Sequence, residues 1–181
     1  TYSISNGALT FADALNPLQI NTNLSISGGT LNLASTAQLL GTYTQSAGTL
    51  TGSGTLNLNA TSNTWSGGLI TGSGTLAIAK DSTLTLNGST KYLGDRQIIN
   101  NGNINWAEGG IDHRGSGGVV NNGLFDIQSD LSWGVEDNTA TFANYFQNNA
   151  GGILRKSGGT GTSLLGNQYY WNGRYFNLTN D

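Results

Sequence analysis

Ala47-Gly48-Thr49-Leu50-Thr51-Gly52-Ser53-Gly54-Thr55-Leu56-Asn57-Leu58 returns twenty residues later as Gly67-Gly68-Leu69-Ile70-Thr71-Gly72-Ser73-Gly74-Thr75-Leu76-Ala77-Ile78. A repeat with a period between about 20 and 50 residues marks a solenoid or a propeller. Within the unit, Leu56 and Leu58, then Leu76 and Ile78, alternate with Asn57 and Ala77. Such alternation sends neighbouring side chains to opposite faces of a strand. The unit reads as short strand, Gly-rich corner, short strand. One copy cannot bury its apolar side alone, so copies must stack.

Looser copies extend in both directions. Asn6-Gly7-Ala8-Leu9-Thr10-Phe11 and Gly28-Gly29-Thr30-Leu31-Asn32-Leu33 each place a Gly corner before an alternating strand. The single proline, Pro17, suits a turn, since a proline removes a ladder hydrogen bond from a central strand. Trp65-Ser66-Gly67-Gly68-Leu69-Ile70 recurs as Trp106-Ala107-Glu108-Gly109-Gly110-Ile111, with Tyr43 in a related place. These aromatic residues are expected to stack in the core or at corners of successive coils, where strands lie about 4.8 Å apart.

Ile98-Ile99-Asn100-Asn101-Gly102 repeats as Val119-Val120-Asn121-Asn122-Gly123 and again as Phe146-Gln147-Asn148-Asn149-Ala150-Gly151. An Asn amide can bond the amide above it, so these corners are expected to carry Asn ladders. The second offset is 27 residues instead of 21. The surplus is assigned to 131–142, expected to bulge as a loop with Trp133, Glu136 and Asp137. Residues 153–181 lose the rhythm, and 160–181 read as a closing coil or cap.

The composition fits one elongated body. Glycine numbers 28 of 181 residues, charged residues make up 9%, and there is no cysteine. Disulfides and thiolate metal sites are therefore excluded. The net charge is −3, and the seven Lys and Arg are scattered, which argues against nucleic-acid binding by phosphate neutralisation. No 18-residue apolar run is present, so no membrane-inserted helix is expected.

A propeller blade takes about 40 residues, whereas one coil of a parallel β-helix takes roughly half that, which matches the spacing here. The expected fold is all-β: a single-stranded parallel β-helix (β-solenoid) of about eight coils of about 20–25 residues over 1–181. At one strand spacing per coil the rod would be on the order of 40 Å long.

The Gly-Ser-Gly-Thr-Leu corners, the turn from Trp65 to Ile70, the Asn-Asn-Gly corners and the run from Phe146 to Gly159 resemble the repeats of large bacterial surface and secreted β-helical proteins. Autotransporter passengers and filamentous-haemagglutinin-like adhesins are the groups concerned. The resemblance covers roughly 24–160 and rests on repeat style. It implies a right-handed coil, a fragment of a longer exported protein at the bacterial surface, and a stalk or adhesive role towards a receptor or glycan. It carries no functional residues over.

Chemistry-bearing residues concentrate in Glu108-Gly109-Gly110-Ile111-Asp112-His113-Arg114, which holds the single histidine beside two carboxylates and an arginine. Two carboxylates can act as a glycosidase acid/base pair, and Arg114 with Asp112 suits a polysaccharide lyase. The segment also aligns with Trp65 to Gly74, and so reads as an ordinary corner with charged decoration. His113 is expected in a solvated loop. Trp133, Tyr169, Tyr170, Trp171 and Tyr175 are candidates to stack on sugar rings, with Asn172 and Arg174 as hydrogen-bonding neighbours, or else to pack a cap. Asp126, Asp130, Glu136 and Asp137 offer oxygen ligands for calcium but lack a recognised spacing. The expectation is a non-enzymatic stalk or adhesin without cofactor or metal, with a polysaccharide-binding or polysaccharide-cleaving β-helix as the alternative.

Overall fold

A computed structural model describes residues 1–12, 17–135, 143–168 and 175–181. Among these the chain is all β, with 24 short strands and no helix. Each turn contributes three strands, as in Tyr43–Gln45, Thr49–Thr51 and Thr55–Leu58. A third short strand thus joins the two expected per unit. Every third strand pairs in parallel, giving three sheets of eight strands: a three-faced β-solenoid. The first face starts at Tyr2–Ile4, the second at Ala8–Phe11 and the third at Leu18–Ile20. The eighteen strands from Leu18–Ile20 to Ser132–Val135 lie in the unbroken run 17–135 and make about six turns, fewer than the eight coils expected.

The doubled stretch sits in direct register, with Leu56 opposite Leu76 and Leu58 opposite Ile78 on the third face. Backbone bonds run along the axis, as where Thr71 N donates to Leu50 O at 2.8 Å. Turning three times within about twenty residues needs corners where backbones touch. Gly48 has φ +65°, and a Cβ there would lie 2.6 Å from the Gly28 carbonyl oxygen, so both its conformation and its spacing require glycine.

Alternation fills the interior. One inward column of the third face runs Ala37, Leu56, Leu76, Ile98, Val119, Phe146, all buried. Each such large apolar side chain contributes about 1.5–3 kcal/mol on burial. The next column runs Leu39, Leu58, Ile78 and then turns polar at Asn100, Asn121 and Asn148. Here the expected amide ladder forms. Asn100 Nδ2 donates to Asn121 Oδ1 at 2.7 Å, Asn121 to Asn148 at 2.7 Å and Asn148 to Asn180 at 2.8 Å. A second, outer ladder runs the other way, from Asn149 to Asn122 at 2.7 Å and from Asn122 to Asn101 at 2.8 Å.

The aromatic residues are core residues, with a changed arrangement. Trp65 and Trp106 are fully buried in one column of the first face, but Leu86 lies between them, so they do not stack on each other. Tyr43 occupies the neighbouring column, opposite Leu24. Trp133 does not lie in a loop. It belongs to the strand Ser132–Val135, is fully buried, and meets Trp106 and Phe146 edge-on at 6.2 Å each. Of the assigned loop, 136–142 lies outside the described residues. Ile153–Lys156, Leu164–Gln168 and Tyr175–Asn180 continue the three sheets.

Leu76→Ala should lower the unfolding free energy by about 2–5 kcal/mol, because the stacked turns cannot collapse around a lost side chain. Ala77→Ser on the outer surface of the same strand should stay within about 0.5 kcal/mol. Urea denaturation followed by tryptophan fluorescence measures both.

Candidate functional site

The charged corner takes its geometry from corner length. Two residues separate Trp65 from Gly68, but four separate Leu86 from Lys91 and Trp106 from Ile111. The register follows this enlargement: Gly68 pairs with Lys91 and Lys91 with Ile111, while Ile70 pairs with Leu93 and Leu93 with His113. Equating Ile111 with Ile70 therefore misplaces the segment by two residues. The structure seats His113 where Ile70 and Leu93 sit, facing inward and fully buried, not in a solvated loop.

The candidate residues separate accordingly. Asp112 faces outward on the second face, opposite Tyr92. The Arg114 guanidinium carbon lies 3.8 Å from the centre of the Tyr92 ring, a cation–π contact. Glu108, exposed on the corner, accepts a hydrogen bond from Gly88 N at 3.0 Å. His113 lies beneath the sheet with its ring centre 6.0 Å from that of Trp133. Asp112 and His113 are consecutive on a strand and point to opposite sides, so the imidazole and this carboxylate do not converge on a common substrate. Tyr169, Tyr170, Trp171, Asn172 and Arg174 lie outside the described residues, as does the side chain of Tyr175.

Two cations absent from the expected set organise this region. Lys91 occupies an inward seat, and its Nζ donates to the carbonyls of Asn87, Ser89 and Glu108 at 2.8, 2.7 and 2.8 Å. It plugs the enlarged corner and ties it to the next. Burial pushes its pKa down to about 8, against the charge of Glu108, so the ammonium persists at neutral pH. Arg96, fully buried, reaches across two turns. Its guanidinium donates to Gly52 O at 2.8 Å, Gly54 O at 2.8 Å, Thr71 O at 2.9 Å and Thr75 O at 3.0 Å.

The Gly-Ser-Gly corners of the doubled stretch thus form a carbonyl cradle for a side chain one turn further on. A Cβ at Gly74 would lie 2.8 Å from the Arg96 Nη1 and 2.1 Å from Gly54 O. Burial lowers the Arg96 pKa to about 10 and leaves it charged. The sequence signal for Lys91 was its alternation with Leu93 across Tyr92. For Arg96, in a corner, no periodic signal exists.

Of the candidate calcium ligands, Asp126 and Asp130 hold protein cations instead, and Glu136 and Asp137 lie outside the described residues. Asp126 accepts two bonds from the Arg155 guanidinium at 3.0 and 2.9 Å and one from Ser157 at 2.9 Å. The Arg155 bonds, supported by Ser157 and Gln128, hold its carboxyl down at about 2. Asp130 pairs with Lys156 at 2.9 Å and accepts Gly161 N at 2.9 Å. Among the described residues no three His, Cys, Asp or Glu side chains gather as a metal site. Comparison with protein-family models, curated proteins and solved structures gave no match.

Arg96→Ala should cost on the order of 3 kcal/mol, because buried carbonyls lose a charged donor, and Arg96→Lys should recover only part, lacking the planar fork. Chemical denaturation of the two variants measures this. The folded-state pKa of Asp126 lies below its unfolded value, so its contribution is complete above about pH 4 and lost as pH falls towards 2. Asp126→Asn should flatten the stability profile in that window, read from melting temperatures between pH 5 and 2.

Proposed function

We propose that the chain is a rigid, non-enzymatic section of an exported bacterial surface protein, serving as a stalk or adhesin. The observation that carries this reading is that buried polar side chains bond along the rod axis and hold successive turns to one another. Arg96 joins its own turn to the two before it. The inner Asn ladder links four rungs on the third face. In a solenoid each turn otherwise touches only its neighbours, so such links resist both bending and opening of the stack. Export and surface location rest on the repeat style, and the partner is a surface receptor or glycan met by the outer faces.

A second reading, polysaccharide recognition, is favoured by one observation. Tyr145 covers Gly118 on the outer third face, where a Cβ would meet both of its Cδ atoms at 2.7 Å. Gln97 Nε2 donates to its hydroxyl at 2.7 Å. An anchored, half-exposed ring among uncharged side chains is a surface on which a sugar can stack.

Single-molecule pulling along the axis is expected to give unfolding forces that drop in Arg96→Ala and Asn121→Ala. Unchanged forces would remove the support for a load-bearing stalk. On a glycan array, binding lost in Tyr145→Ala would establish the second reading. Release of reducing ends or unsaturated products, abolished by Asp112→Ala or Arg114→Ala, would overturn the non-enzymatic assignment.

A further inference from the structure

His113, Trp133 and Asn144 are fully buried in consecutive parts of the rod. Among the described residues, neither Trp133 Nε1 nor either amide atom of Asn144 has a hydrogen-bond partner, and the ring nitrogens of His113 make no hydrogen bond of ordinary geometry, although the Gly94 and Gly117 backbone lies close enough to interact with them. His113 touches Trp133, and Asn144 is linked to Trp133 through the phenylalanines beside it. His113 and Trp133 are in ring contact at 6.0 Å, and Asn144 shares the inward side of its strand with Phe146, 6.2 Å from Trp133. Asn144 also pairs in register with Phe176, whose ring lies 5.4 Å from that of Trp133. The inner Asn ladder shows how buried amides in this interior are bonded, and elsewhere among the described residues only Trp65 Nε1 and Asn87 Oδ1, far apart in the sequence from this region, lack a partner. Three side chains with such atoms in one stretch of the rod are therefore a concentration, and polar interior sites of this kind hold ordered water.

We propose that His113, Trp133 and Asn144 form a buried hydrated site where His113 takes up a proton in acid and loosens this stretch of the rod. A neutral imidazole can exchange hydrogen bonds with enclosed water, whereas an imidazolium there is a buried charge that, among the described residues, no carboxylate is seen to contact. Among the described residues the charged groups on the packed elements are few. Lys91, on the adjoining strand, is held by three carbonyls, and Asp95, exposed, accepts Ser116 N at 2.9 Å. Asp112 and Arg114 flank His113 in the chain on the outer side. Glu136 and Asp137 follow Val135, the register partner of His113, and lie outside the described residues.

Burial lowers the His113 pKa to about 4, and the nearby Gly94 and Gly117 backbone and the charge of Asp95 pull the other way without cancelling it. The folded state thus favours the neutral ring. Its contribution is complete above about pH 6.5 and lost as pH falls from there towards 4, a window above the one in which Asp126 titrates. The inference concerns the core and stands independently of the stalk reading.

Hydrogen exchange of the full chain at pH 7 and pH 4.5, expressed as protection factors, tests it. Protection of Ile111–His113, Ser132–Val135 and Ala143–Asn148 is expected to fall roughly ten- to hundred-fold at pH 4.5, while Thr55–Leu58 and Thr75–Ile78 change little. In His113→Phe and in His113→Gln, which keeps hydrogen-bonding capacity if the first fails to fold, the local loss should vanish. A loss that is uniform along the rod, or one that persists in the His113 variants, overturns the proposal. A loss abolished by Glu136→Gln with Asp137→Asn also overturns it, since the proton would then be binding elsewhere. An indole N–H of Trp133 showing cross-relaxation with long-lived water supports the hydrated site, and a dry indole overturns it.

Discussion

Everything in this molecule depends on the backbone bonding along the axis. Each strand of three to six residues gives its N–H and C=O groups to the turns above and below, and none of the strands is long enough to hold together by itself. The turns must therefore be nearly equal in circumference. First-face partners in the regular part are 19 to 22 residues apart, as with Leu24 and Tyr43 or Tyr2 and Leu24. Variation in length is pushed into corners. There the backbone leaves the ladder, and its freed carbonyls need donors.

That need explains where the buried polar side chains sit. Lys91 fills the corner enlarged by two residues, and Arg96 fills the corner built from two Gly-Ser-Gly copies. Asn100, Asn121 and Asn148 close the end of the third face, each amide bonding its successor and a carbonyl across the corner. Glycine and cation are complementary here: removing Cβ atoms lets backbones come close enough to form the cradle, and a guanidinium neutralises the carbonyl dipoles it collects. The His113 region departs from this pattern: among the described residues Trp133 Nε1 and the Asn144 amide have no such partners, and the His113 ring makes no hydrogen bond of ordinary geometry.

The outer faces follow from the same geometry. Tyr92 meets Asp112 and Arg114 because neighbouring rungs place them side by side, not because it is close to them in sequence. Asp126 meets Arg155 across one rung although 29 residues separate them. Such pairs fasten the surface of the last turns much as the Asn ladder fastens the interior.

The repeat, the period-2 alternation and the glycine corners were enough to specify a parallel β-solenoid, its inward apolar columns and its Asn ladders, because those features obey a local periodicity. The alignment of Ile98, Val119 and Phe146 even survived a long insertion, since the Asn corner following each marks the same rung. Seats next to corners of variable length were not legible. A shift of two residues keeps side-chain parity but moves a residue from corner to core, which is how His113 entered the interior. Trp133 likewise went from loop to core because the strand continues before the surplus begins. The doubled stretch shows the division most clearly. Its own residues dictate a bare coil with almost no chemistry. Only stacking decided that its corner carbonyls would receive Arg96 from the following turn, since that contact joins residues 42 and 44 positions apart and leaves no mark in either segment alone.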